Sequence, residues 1–196
     1  MVTKAEYHRQ FIAYSRQCNM PFSRPRKLDT ESELYDYALG ALGRRMRSVA
    51  EMKRLLRMRV EADTEFGQTL MELVVRRLKD HGYLNDARYA ATYSSLRRDN
   101  QKLGARRVAT DLKIKGVHGE VIDEAVSNAY EEIGEEAQAR EYLKRKRVKK
   151  PADQKQTARV FRQLIRAGFG SKTIFTILKQ WEVDEETLAK LEEESA

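Results

Sequence analysis

From Glu31 onward, apolar residues recur three and four apart. Leu34, Ala38, Ala41 and Leu42 share one face, with Thr30 placed to cap the first turn. This spacing predicts amphipathic helices, and it continues through most of the chain. No proline interrupts the stretch from Arg26 to Lys150, which is rich in Ala, Leu, Arg, Lys and Glu, residues that lose little side-chain freedom in a helix. The first thirty residues differ. Pro21, Pro25 and several basic side chains predict a flexible basic arm over 1–30, with room for a short helix over 6–16.

The pattern repeats. Aligning 104–117 with 156–169 pairs Arg107 with Arg159, Val108 with Val160, Leu112 with Leu164 and Gly116 with Gly168, all at an offset of 52. The same offset pairs Ile122 with Ile174, Ala125 with Ile177, Val126 with Leu178 and Ala129 with Trp181, so a second helix follows in register. Residues 49–60 fit more loosely at an offset of 56, with Met52 opposite Val108 and Leu56 opposite Leu112. We read three tandem modules of helices A, B and C at 31–82, 83–133 and 134–182, followed by an acidic tail at 183–196. Gly116 and Gly168 suit the turn after helix B, where the backbone goes left-handed. Module one lacks that glycine, and its 60–66 segment predicts a longer acidic loop. Gly82 ends helix C of module one, with Asn85 or Asp86 capping the next helix. Small modules bury little surface alone, so the expected fold is all-α, three three-helix repeats stacked into an elongated, curved body with a continuous core. One compact nine-helix globule is also compatible with the periodicity.

Composition adds a partner class. A formal charge of +8 and a pI near 9.5 imply a positive field that draws polyanions, nucleic acid first and an acidic protein surface second. The single cysteine, Cys18, leaves no internal disulfide, and an incidental free thiol is its simplest reading. His8, His81 and His118 are scattered without ligand spacing. No apolar run approaches the ~20 residues that span a bilayer, and the N-terminus lacks a signal-peptide core. The expectation is a cytoplasmic monomer with no membrane contact and no cofactor.

Catalytic chemistry has no visible foothold. There is no GxxxxGK[ST] phosphate loop. Neighbouring acids such as Asp123 and Glu124, or Glu131 and Glu132, point about 100 degrees apart on a helix. A non-enzyme is expected.

Basic residues, by contrast, cluster at one place in each repeat. In module one Arg44, Arg45 and Arg47 lie at the A–B junction, with Lys53, Arg54 and Arg57 on helix B. In module two Arg97, Arg98, Arg106 and Arg107 occupy the junction, and Lys113 and Lys115 follow on helix B. In module three Lys144, Arg145, Arg147, Lys146, Lys149 and Lys150 sit before helix B, within a run of seven basic residues among eleven from Arg140. Singly, each cation serves to solvate a face or complement a helix C-terminus. Recurrence at equivalent positions makes the groups a candidate binding stripe along one side. Tyr83, Tyr89, Tyr93 and Tyr142 occupy positions suited to packing rather than base stacking, and Trp181 is placed as an apolar anchor. The acidic end reads as a frayed, solubilising helix rather than an internal competitor for the stripe.

The segment GYLNDARYAATYSSLRR followed by LGARRVATDLKIKGV, residues 82–117, resembles the RecX family. The resemblance rests on Gly82, Tyr83, Leu84, Asp86, Arg88, Tyr89 and Ala90 in its first half. Gly104, Arg106, Arg107, Val108, Leu112, Lys115 and Gly116 carry its second half, and RAGF at 166–169 echoes it. It extends over about 31–182. It implies a regulator built of tandem three-helix repeats that binds RecA and the RecA filament on single-stranded DNA. Such a regulator inhibits recombinase, ATPase and coprotease activities, and direct contacts to DNA phosphates are compatible with it. A direct DNA-binding protein with helix-turn-helix-like modules and a helical scaffold for another acidic partner are the alternatives.

Overall fold

The computed structural model describes residues 26–195. The N-terminal helix over 6–16, Cys18, His8, Pro21 and Pro25 lie outside them. Among the described residues there are ten α-helices and no strand. The first triplet is α1 (Glu31–Arg44), α2 (Val49–Arg57) and α3 (Glu65–Asp80). The second is α4 (Asp86–Gln101), α5 (Ala105–Ile114) and α6 (Gly119–Tyr130). The third is α7 (Glu135–Arg145), α8 (Gln154–Ala167) and α9 (Ser171–Gln180), after which α10 (Glu185–Ser195) closes the description.

Local chemistry accounts for where these helices start. Thr30, Thr64, Asn85 and Asp153 each accept a backbone N–H from the first turn of the helix they precede. Ser48 and Glu51 form a reciprocal capping box at the start of α2. The acidic segment of module one is split by its cap: α3 already begins at Glu65, so the connection spans 58–64, as long as the sequence suggests but two residues earlier.

Each triplet encloses its own apolar cluster. Leu34, Met52, Leu56 and Leu78 are fully buried in the first, Val108 and Leu112 in the second, Leu164 and Ile174 in the third. The apolar positions of helix B that the repeat aligns are buried. Helix B contributes Met52 and Leu56, Val108 and Leu112, and Val160 and Leu164 in turn. The core is not continuous as expected, because the clusters are separate and only Leu103 packs against both the second and third. The second holds seven buried apolar residues against twelve and thirteen in its neighbours, so it depends most on what flanks it.

Two expectations at the ends need correction. Residues 26–28 of the arm are docked: Leu28 donates its N–H to the Arg59 carbonyl at 2.7 Å and packs on the first cluster. The acidic tail is a helix with an apolar edge. Leu188 and Leu191 of α10 are buried in the third cluster, while Val183 and Trp181 pack partly against it. Alternating acids conceal two leucines one turn apart.

The modules join through helix ends. The last carbonyls of a helix have no partner within it, and here a neighbouring module supplies one. Ser48 donates its hydroxyl to the Lys115 carbonyl at 2.6 Å, and Arg54 donates to the Ile114 carbonyl at 3.2 Å, so α2 caps the end of α5. Val49 at the start of α2 donates its N–H to Asp86 of module two at 2.9 Å. At the next boundary, Gly104 donates its N–H to the Ala167 carbonyl at 2.9 Å, so the start of α5 meets the end of α8. Ser48 and Gly104 are the equivalent N-caps of their B helices. The same joint is thus used twice, with different donors.

Glycine is required at both joints. A Cβ on Gly104 would lie 2.4 Å from the Gly168 carbonyl oxygen, and one on Gly168 would lie 2.3 Å from the Arg107 nitrogen. A Cβ on Gly116 would lie 2.5 Å from that of Ala50. Gly116 and Gly168 also hold φ of 75° and 92°, which L side chains adopt at a cost.

Candidate anion-binding surface

The B-helix joints decide where the cations go. Because α5 starts against α8, side chains of modules two and three meet beside that joint. A groove between modules two and three is lined by Tyr93, Arg97, Arg107, Lys115, Gln163 and Arg166, with Tyr142 at its wall. A second groove in module three is lined by Lys146, Arg147, Lys149, Arg159 and Gln163. Gln163 borders both, so the two grooves adjoin. Toward module one the track passes Lys115 to Glu51 and Arg54. Cations of modules two and three therefore line adjoining grooves, and Arg54 of module one reaches the Ile114 carbonyl at the edge of the first.

Not every expected residue lies in these grooves. Arg98 is turned inward, donating to Asp99 and capping the end of α6 at the Ala129 carbonyl, a structural role. Lys53 pairs with Glu72 on another face, at 3.3 Å. Arg47 donates to the Ala41 carbonyl and borders an apolar hollow with Met46 and Tyr83. Lys144 pairs with Glu141 and Lys150 with Glu182. Arg44, Arg57, Arg106, Lys113 and Arg145 are exposed and outside the lining of either groove.

Four features were missed by reasoning on the sequence. Arg159 and Arg166 stand seven residues apart on α8 and line the track. A signal existed for the first, since the repeat alignment pairs it with Arg107. The other two are carboxylates. Asp111 accepts from Arg107 Nε at 3.0 Å and from the Tyr93 hydroxyl at 3.3 Å. Glu51 accepts from Lys115 Nζ at 3.0 Å and the Tyr89 hydroxyl at 3.3 Å, with Arg45 at 3.8 Å. Burial pushes the Glu51 carboxyl up. The hydrogen bonds from Lys115 and the Ser48 N–H, with the charges of Lys115 and Arg45, outweigh it and leave the group below its ordinary value.

The aromatic residues here are engaged. Tyr93 stacks on Tyr89 with ring centroids 6.0 Å apart, and the Arg97 guanidinium lies over its ring at 4.8 Å. Tyr142 is buried with its ring set edge-on to Phe169. The arrangement offers charge to an anion but no open platform for a base. Among the described residues, no group of three or more His, Cys, Asp or Glu is placed to hold a metal ion. No helix there is long and apolar enough to cross a membrane.

Comparison with known proteins places the fold. A family model described as RecX, second three-helix domain, matches residues 85–126. The regulatory protein RecX of Myxococcus xanthus is 34% identical over 133 residues, covering 64% of this chain and 70% of that protein. That of Bacillus subtilis is 31% identical over 158 residues, covering 78% of this chain. The match spans only 57% of the Bacillus subtilis protein. Among solved structures, a crystal structure of regulatory protein RecX superposes with a TM-score of 0.59 at 22% identity, covering 76% of this chain and 71% of that one.

Proposed function

Because this chain belongs to the RecX family, we propose that it is a non-enzymatic regulatory protein that binds RecA and the RecA filament on single-stranded DNA. In this reading it restrains the filament's ATP hydrolysis, strand exchange and coprotease action. The observation that carries the reading beyond family membership is the pair of adjoining cationic grooves, one with Arg97, Arg107, Lys115 and Arg166, the other with Lys146, Arg147, Lys149 and Arg159. Cations set in adjoining grooves across two modules suit an extended partner that offers acidic side chains or phosphates at several successive points. Contacts of this kind weaken as salt rises.

The test is ATP hydrolysis by the cognate RecA on single-stranded DNA, titrated with this protein at fixed salt. Suppression at well below one protein per RecA subunit is expected. Changing Lys146, Arg147, Arg159 and Arg166 to Ala should weaken it far more than changing Lys144 and Lys150, whose charges are already paired. Full suppression by the first variant would remove the track from the account. Oligonucleotide binding with no effect on RecA would instead assign a direct DNA-binding protein, and neither activity would leave a scaffold for another acidic partner.

A further inference from the structure

Lys115 belongs to two places at once. Its ammonium pairs with Glu51 of module one at 3.0 Å, and the same side chain lines the groove between modules two and three. It is only 22% exposed there, and Glu51 13%, so the pair is held rather than loosely apposed. Arg107, beside it in the groove, pairs with Asp111 at 3.0 Å, the carboxylate largely covered and the guanidinium about half exposed. Arg97 and Arg166 form no ion pair with any described residue. The groove thus offers two available cations and two that internal carboxylates already occupy.

We propose that this groove is a sequence-independent site for a phosphodiester backbone, and that Glu51 and Asp111 act as internal competitors, holding Lys115 and Arg107 until phosphate displaces them. A phosphodiester fits better than an acidic peptide because the charged side chains of the lining are cationic with Asp111 the one exception, and they recur from one groove to the next. Repeated charge matches a polymer of repeated charge. Bases face away, since the Tyr93 and Tyr142 rings are engaged. Occupancy then has a consequence outside the groove: phosphate that recruits Lys115 takes it from Glu51 and loosens the joint between modules one and two. Binding and joint closure are coupled with opposite sign, and the coupling is reciprocal.

The inference rests on the basic track being the functional surface, but it makes no use of RecA, and its test omits RecA. Anisotropy of a fluorescein-labelled thymidine oligonucleotide is measured with the full chain across a salt series. Wild type should bind, and Arg97→Ala with Arg166→Ala should weaken binding and lower the salt slope by about 0.7 for each cation lost. Glu51→Gln should bind about fivefold tighter, and that gain should vanish in a Lys115→Ala background. Asp111→Asn, which touches no joint, should tighten binding independently, so the idea survives a Glu51 variant that fails to fold. Unchanged or weaker binding by a folded Asp111→Asn would overturn the competition. Poly-glutamate binding more tightly than the oligonucleotide, with the same dependence on Arg97 and Arg166, would replace the phosphodiester with an acidic protein. No oligonucleotide binding alongside intact suppression of RecA would overturn this inference and leave the proposed function standing.

Discussion

Gly104 donates its backbone N–H to the carbonyl of Ala167 across the boundary between modules two and three, at 2.9 Å. Glycine is needed here because the Gly168 carbonyl occupies the side of Gly104 where a Cβ would stand. The contact also satisfies a carbonyl that the end of α8 leaves without a partner.

Gly104→Ala should therefore open this joint. The added Cβ would lie 2.4 Å from the Gly168 oxygen, and backbone cannot swing aside as a side-chain tip can. A loss of roughly 1–3 kcal/mol is expected, read by urea denaturation. Gly168→Ala should cost more, because it adds strain at φ 92° to a similar clash.

Acid should act on the other joint through Glu51. Its folded-state pKa lies below the ordinary value, so the stabilisation is present above the unfolded pKa and is lost as pH falls through the folded one. Thermal melts from neutral pH to below the ordinary carboxylate range should show wild type losing stability at the acid end. Glu51→Gln should be less stable at neutral pH and flatter across that window.

Leu112→Ala tests the dependence of module two on its neighbours. Leu112 is fully buried in the smallest of the three clusters. A loss of about 2–5 kcal/mol is expected. Leu164→Ala, at the equivalent position in a larger cluster, should leave more structure at the same urea concentration, as read by circular dichroism.

Removal of 184–196 should destabilise module three. A solvated acidic tail could be cut without effect, whereas Leu188 and Leu191 are buried against α8 and α9. Leu191→Ala alone should cost about 2 kcal/mol, at the low end for a buried leucine because it sits near the end of its helix. An unchanged melting temperature after truncation would return the segment to a solvated tail.

The fold class was legible because burial is written into the sequence by residue type. Val108 and Leu112 recur as Val160 and Leu164, and each of the four is buried on a B helix. The all-helical repeat follows from that alone. The site was legible only as a list of cations. Lys115 and Glu51 stand 64 positions apart, and no spacing rule relates residues that meet across a module boundary. The tail was misjudged for a related reason: composition weighs its many acids above Leu188 and Leu191, whereas burial depends on where the two leucines point.

The joints are heterologous: in each, the start of one B helix meets the end of the next, never start to start. The molecule consequently has a direction, running from α8 through α5 to α2. A strand or filament with its own polarity presents its charges in a fixed order, and it would find this path matched to it one way round and mismatched when reversed.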